Sequence, residues 1–197
     1  MHVEKNISES TFGTMLGIDG KNKDTDKPRM NLEKMNIREM LYLEVLPYGS
    51  CRKPWAIFSL NIAERDGFYD FLKSVKYLDG YAANISRSVN MSGKLSGLKS
   101  HDCHVLLQRI LPIGMQGFVN TNITTLLFEL GSFFQDLCLK TLRQSDLEEC
   151  IVLILCKMEK FFPPAFFDVM VYLAVHLPCE AILGGPVQYR WMYPIER

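Results

Sequence analysis

The chain has no excess of charge of either sign, because 22 lysines and arginines balance 22 aspartates and glutamates. Net charge therefore gives no argument for binding to nucleic acid, a membrane surface or an acidic ligand. Long apolar runs are also lacking. The most apolar stretch, residues 161–177, is interrupted by prolines, an aspartate and a histidine, whereas a spanning helix needs about 20 apolar residues. We also recognise no secretory, transit or lipidation motif, and expect an intracellular protein without a membrane segment.

Sequence signatures of common catalytic sites are missing too. The chain contains no Walker loop, dinucleotide fingerprint, nucleophile elbow or HExxH motif. We therefore expect no cofactor and find no small-molecule substrate indicated. Six cysteines occur, but their spacing is irregular and no CxxC pair is present. This spacing favours reduced thiols over a disulfide framework.

Apolar residues recur mainly at helical spacing, and 48% of the 197 residues are hydrophobic. This pattern predicts a mainly α protein, an irregular helical bundle with long loops and little or no sheet. A chain of this length can bury roughly 70% of its unfolded surface, enough for one sizeable core or two small ones. Glycines and serines in residues 79–99 predict a linker. The predicted helices cover residues 3–16, 26–43, 61–75, 100–111, 122–142, 145–161 and 166–177.

Several local predictions are more specific. Asn61 with Glu64, and Ser145 with Glu148, fit the capping-box pattern at a helix start. Residues 55–60 allow at most a short extended piece. Residues 166–177 are apolar on nearly every face, so they predict a central helix buried from all sides.

Six sequence strings carry a family resemblance: MHVEKN, GIDGKNKDTDKPR, DGYAANISR, LSGLKSHDCHVLLQRILPIG, FFQDLC and CKMEKFFPPAFFDVMVYLAVHLP. On these strings the chain resembles the C-terminal part of plant CACTA-type (En/Spm) transposable-element transposases, including their associated domain of unknown function. The resemblance implies that residues 1–99 are the end of the transposase core. Residues 100–197 would be the helical associated domain. Because the family normally has more protein on both sides, we expect a transposon-derived fragment.

Glu4, in MHVEKN, is a weak candidate for one of the family's catalytic acids. Transposases of this kind resemble nucleases that hold two divalent ions with several carboxylates. The resemblance places the partners of Glu4 upstream of this chain, so we expect no complete catalytic centre. The alternative for Glu4 is a surface carboxylate favoured by the helix dipole. A nuclease remnant using Glu4 with Asp19 or Asp24 is the competing enzyme interpretation.

A local excess of basic residues between positions 21 and 38 is the candidate DNA contact. Its main members are Lys21, Lys23, Lys27 and Arg29. Such a patch predicts weak, nonspecific and salt-sensitive binding. A solvated surface is the plainer interpretation of the same residues.

His101, Cys103 and His104 are candidate metal ligands, because three such side chains fall within four residues. On a helix the two histidines share a face and Cys103 points elsewhere, so a closed site would need Cys138 or His176 to approach. Helix capping and buried hydrogen bonds are the alternative. A zinc-stabilised interaction module depends on the first interpretation.

The sequence thus predicts a non-catalytic, transposase-derived helical protein. Its expected partners are a full-length transposase or DNA. The resemblance implies a nuclear location, while the residues themselves are equally compatible with the cytoplasm.

Overall fold

The structure is a computed structural model that describes residues 2–77, 84–89, 95–141 and 144–185. It confirms a mainly α fold. The α-helices are α1 (His2–Met15), α2 (Asp26–Lys34), α3 (Ile62–Ser74), α4 (Ser100–Val105), α5 (Leu111–Gly114), α6 (Thr121–Leu137), α7 (Gln144–Phe161), α8 (Val169–Tyr172) and α9 (Leu177–Gly184). Short 3₁₀ turns cover Glu39–Leu41, Ile85–Ser88, Pro164–Phe166 and Leu173–His176. Within the described residues no helix is long and apolar enough to cross a membrane.

The sheet in the described part consists of two short antiparallel strands, β1 (Glu44–Val45) and β2 (Cys51–Arg52). Glu44 lies opposite Arg52, and Val45 lies opposite Cys51. The connecting turn contains Tyr48 and Gly49, both at positive φ. Residues 55–60, for which the sequence allowed an extended piece, form no strand.

Helix α6 is the centre of the bundle. It packs against α5, α7, α9 and the segment Leu106–Ile110. Its apolar residues follow the three-to-four spacing that buries one face of a helix. The buried apolar residues of α6 are Ile123, Leu126, Leu127, Leu130, Phe133, Phe134 and Leu137.

The segment Leu106–Ile110 is a π-helical turn between α4 and α5. It lies close to α6, because a Cβ atom on Gly131 would come within 3.2 Å of the Leu107 carbonyl oxygen. The amide of Gln135 donates to the Gln108 carbonyl at 2.7 Å. The helix predicted for residues 100–111 thus contains a wider turn, held by α6, just before Pro112.

The first helix belongs to the same core as the later ones. Helix α1 packs against α4 and α8, and its side chains Ile7, Phe12 and Met15 are at most 1% exposed. Helix α3 begins at the predicted capping box, in which Glu64 and Asn61 each bond the backbone N–H of the other. The hydrophobic core therefore joins residues from both halves of the chain.

Three predicted helices are shorter than expected. The helix predicted for residues 122–142 ends at Leu137. The helix predicted for residues 26–43 ends at Lys34, because Asn36 and Arg38 adopt left-handed backbone conformations that no α-helix accommodates. The prediction of one central helix over residues 166–177 is wrong. This segment breaks into α8 between two 3₁₀ turns, and Leu173 is 39% exposed.

Some predictions fall on residues outside the described part. The side chains of Ser145 and Glu148 belong to this group, as does much of the predicted linker at 79–99. Within that linker the described residues Ile85, Leu95 and Leu98 are buried in the core.

Candidate functional site

The Glu4 side chain of helix α1 lies in the protein interior and not on the surface. Glu4 is 5% exposed, and the residues one and two turns further along the same face, Ser8 and Thr11, are fully buried. The Ser8 hydroxyl donates to the Cys103 carbonyl of α4 at 3.1 Å. This contact holds α1 against α4, so Glu4 meets the side chains that α4 presents.

The Glu4 carboxylate accepts hydrogen bonds from two side chains of the α4 segment. His104 Nδ1 lies 2.9 Å from Glu4 Oε1 and 3.1 Å from Oε2. Gln108 Nε2 donates to Glu4 Oε1 at 2.9 Å. The short contacts to carboxylate oxygens place the imidazole proton on Nδ1. Gln108 Nε2 also lies 2.9 Å from His104 Nδ1. Both nitrogens are then donors that share Glu4 Oε1 as their acceptor.

We call Glu4, His104 and Gln108 the Glu4 cluster. Chemically it is a buried carboxylate with two donors, an arrangement that offsets the desolvation of the charged group. Catalysis by two metal ions instead requires carboxylate oxygens directed at the cations. In this cluster Glu4 fastens α1 to α4. It is neither the expected surface carboxylate nor arranged as a metal ligand.

The thiols near the cluster are protonated groups. Burial, together with the nearby Glu4 carboxylate, raises the pKa of Cys138 to about 12. Burial also raises the pKa of Cys103 to about 12. A metal ligand or nucleophile must be a thiolate, so neither cysteine is prepared for that chemistry at neutral pH.

The three predicted metal ligands do not converge. The rings of His101 and His104 stack with centroids 5.8 Å apart, which agrees with their predicted common face, while Cys103 is buried. Of the two proposed additional ligands, Cys138 lies 3.9 Å from the Gln108 amide and His176 is exposed. Over the residues the structure describes, no group of three histidine, cysteine or acidic side chains is placed to hold a metal ion.

Most of the predicted DNA-binding residues are engaged within the protein. Lys21 pairs with Glu9 at 3.0 Å, and Lys23 pairs with Asp168 at 3.0 Å. Lys27 is exposed, at the start of α2. These three side chains therefore do not form one open basic surface.

Arg29, the fourth predicted DNA contact, has a buried side chain with 1% exposure. Its guanidinium donates to both carboxylate oxygens of Asp24, at 2.7 and 2.8 Å. It also donates to the Pro54 carbonyl at 2.7 Å. This two-pronged geometry is the one in which arginine binds a carboxylate most strongly. Arg29 thus joins the start of α2 to the loop before α3.

Sequence reasoning missed Gln108 and the pairing of Glu4 with His104. Gln108 follows His104 by four residues on a helix, so helical spacing places both side chains on one face. No comparable signal links Glu4 to His104, which is 100 residues away. Sequence reasoning named both residues, but for unrelated sites.

Part of the chain matches a known family model. Residues 137–197 match the model of a family described as a domain of unknown function, DUF4218. The described part of this span includes α7, α8 and α9. No curated protein and no solved structure matches the chain.

Proposed function

We propose that this chain is a non-catalytic, transposase-related protein that acts by binding another protein, a transposase of the CACTA type. The family part of the proposal is supported by the six strings quoted above. It is also supported by the domain of unknown function matched at residues 137–197, a span that contains the last of those strings.

The non-catalytic part is supported by the Glu4 cluster. Glu4, the acid that the resemblance links to the catalytic centre, has its two oxygens within 3.1 Å of His104 Nδ1, and one of them also accepts from Gln108. These bonds join two helices across the core. A carboxylate used in this way stabilises the fold and is poorly placed to move onto a cation during a reaction.

The observation that carries the binding role is a ridge of exposed apolar side chains directly after α2. Met35, Ile37 and Met40, which we call the 35–40 ridge, are between 45% and 71% exposed. Grouped exposed apolar side chains mark interaction sites more often than isolated ones do. Methionine in particular adapts its shape to a partner surface.

The backbone of the ridge is held in a defined conformation. Asn36 and Arg38 have φ of 53° and 56°, in the left-handed region that is costly for residues other than glycine. The Arg38 guanidinium reaches across to donate to the Phe162 carbonyl at the end of α7. Strained residues that are anchored from elsewhere occur where function requires a particular shape.

Weak DNA contact through Lys21, Lys23, Lys27 and Arg29 is not part of this proposal. Two of these lysines are paired with acidic residues, and Arg29 is buried. The proposed binding surface is the 35–40 ridge, because its apolar side chains are exposed and its backbone is held in place.

The test is co-purification with a separately produced CACTA-type transposase, followed by light scattering to measure the mass of the complex. Met35→Lys with Met40→Lys should reduce the affinity at least about tenfold, because a charge cannot be buried in an apolar contact. Val152→Lys with Leu153→Lys is the matched control, since these α7 residues are exposed to a similar degree.

Three results would contradict the proposal. They are equal binding by both double variants, a ridge-dependent complex of two copies of this chain without transposase, and Mg²⁺-dependent cleavage of transposon-end DNA by this chain alone.

A further inference from the structure

A cavity of about 260 Å³ lies between the end of α1, the loop before α3 and the first turns of α3. Its lining includes Gly17, Lys53, Trp55, Ser59 and Arg65. The volume falls just below the range of about 300–1,000 Å³ typical of drug-sized ligands. The cavity therefore suits a small ligand of about one nucleotide and is too small for an extended dinucleotide cofactor.

The charged groups of the cavity wall favour an anion. Arg29, Lys53 and Arg65 are basic and Asp24 is acidic. Arg29 and Asp24 bind each other through two hydrogen bonds, so their charges cancel locally. Lys53 Nζ also lies 3.9 Å from Asp24 Oδ2, so these three basic residues and one acidic residue together carry a net positive charge. In a confined space a positive charge attracts an anion more strongly than on an open surface.

Both cations are positioned by contacts that leave donors for a ligand. The Lys53 ammonium donates to the Asp24 carbonyl at 2.6 Å, and the Arg65 guanidinium donates to the Leu16 carbonyl at 3.2 Å. Each of these groups carries further N–H donors. Both residues line the cavity, and these contacts do not use the full hydrogen-bonding capacity of either side chain.

Backbone contacts fix the segments that line the cavity. The Leu60 N–H donates to the Met15 carbonyl at 3.1 Å, which fixes the loop before α3 against the end of α1. Gly17 turns the chain at φ 64°, and a Cβ atom there would lie 3.7 Å from the Arg65 guanidinium. A preformed wall reduces the ordering that a ligand would otherwise have to impose.

Trp55 supplies an aromatic surface at the same cavity. Its side chain lines the cavity and is 57% exposed. A large exposed aromatic ring beside lysine and arginine is the combination that binds nucleotides, because the ring stacks on the base and the cations hold the phosphate.

We propose that this cavity binds a nucleotide, with the phosphate held by Lys53 and Arg65 and the base stacked on Trp55. The ligand is either a free mononucleotide or one unit of a single-stranded nucleic acid. This site is separate from the 35–40 ridge, and the proposal does not depend on the transposase partner. It is also distinct from the predicted basic patch, since of that patch only Arg29 lines the cavity, and Arg29 is bound to Asp24.

The test uses the whole chain with Trp191→Phe, so that fluorescence reports Trp55 alone. Adenosine monophosphate should change this fluorescence in a saturable way. Adenosine, which lacks the phosphate, should bind at least about tenfold more weakly. Raising the salt concentration should weaken binding, because ions screen the attraction to the cations. A short oligothymidylate shows whether a nucleotide within a strand enters the same site.

Variants identify the site. Lys53→Gln and Arg65→Gln should each reduce affinity about tenfold, the loss expected for one charge-assisted hydrogen bond. Lys73→Gln is the matched control, because Lys73 is an exposed α3 lysine that pairs with Asp70 and does not line the cavity. Trp55→Ala should weaken the binding of adenosine monophosphate more than the binding of inorganic phosphate. Calorimetry measures both affinities. Because Arg65 also bonds Leu16, the thermal melting of each variant is measured to check that it is folded. If Arg65→Gln unfolds, the affinity of Lys53→Gln alone tests the proposal.

Binding of the oligonucleotide alone would support the proposal and identify a strand as the natural source. The proposal is overturned if millimolar mononucleotide and oligonucleotide both fail to bind. It is equally overturned if Lys53→Gln and Lys73→Gln bind alike.

Discussion

Two buried polar clusters, Asp24 with Arg29 and the Glu4 cluster, connect different elements of the fold. Arg29 also bonds the Pro54 carbonyl, 25 residues away, and Glu4 bonds His104, 100 residues away. Each contains a carboxylate whose oxygens accept hydrogen bonds from defined donors. Loss of one member from such a cluster is costly, because it removes a hydrogen bond from the remaining buried polar groups. The sequence marks these residues as polar, and it is their burial that makes them structural.

At the residue scale we expect Glu4→Ala to lower the free energy of unfolding by about 1–3 kcal/mol. The change removes the acceptor of His104 and Gln108 and leaves two buried donors without it. Urea unfolding followed by circular dichroism measures the effect.

Glu33→Ala is the control, because Glu33 is an exposed helical glutamate and should change stability by less than about 0.5 kcal/mol. If Glu4→Ala and Glu33→Ala were equally mild, the Glu4 cluster would contribute nothing to the fold.

At the scale of elements, a helix boundary was predicted accurately where it depends on residues close together in sequence, and missed where it depends on distant contacts. Helices α1 and α3 and the start of α6 were predicted closely, since apolar spacing and the Asn61–Glu64 cap depend on residues that are near one another in sequence. The end of α2 was missed, because the left-handed conformations of Asn36 and Arg38 depend on contacts such as that of Arg38 with Phe162. The Glu4–His104 contact was unpredictable for the same reason.

The segment 164–176 shows why apolar composition alone overestimates burial. Phe166 is fully buried, with its ring 4.7 Å from that of Phe162. Leu173, the first residue of the 3₁₀ turn that follows α8, is 39% exposed. An apolar run therefore supports a core only at the positions that the local backbone directs inward.

At this scale we expect Phe166→Ala to cost about 3–5 kcal/mol of unfolding free energy, from lost apolar burial and the cavity left behind. Leu173→Ala should cost under about 1 kcal/mol, since much of its side chain already contacts water. Thermal and urea unfolding of both variants measure the difference. Equal costs would show that residues 166–177 form the central helix predicted from sequence.

At the scale of the whole molecule, the core does not divide at the predicted boundary near residue 99. Helix α1 packs against α4 and α8, and its side chains lie in the same buried cluster as those of α6 and α7. The division into residues 1–99 and 100–197 stays a prediction about origin from a transposase. Packing links the two parts in the folded protein.

We therefore expect residues 100–197 alone to lack a cooperative unfolding transition. Removing α1 exposes the surfaces that cover Ile7, Phe12 and Met15. Burial of such side chains contributes about 1.5–3 kcal/mol each to the free energy of unfolding. The total free energy of unfolding of a typical protein is about 5–15 kcal/mol. Circular dichroism melting of the shortened and full chains tests this. A separately made peptide of residues 2–22 should restore part of the transition. A sharp transition of residues 100–197 at the melting temperature of the full chain would instead establish two independent domains.

The π-helical turn at Leu106–Ile110 has a consequence for how this chain can change length. A turn closed by i→i+5 bonds contains one residue more than an ordinary helical turn, while the helices on either side keep their positions. Deleting one residue here would convert the turn to α-helix and leave the His104–Glu4 contact before it and the α5 packing after it in register. The same deletion in the middle of α6 would rotate every later side chain by about 100°. Within the described core, this turn is a place where evolution can add or remove a single residue without rearranging the bundle.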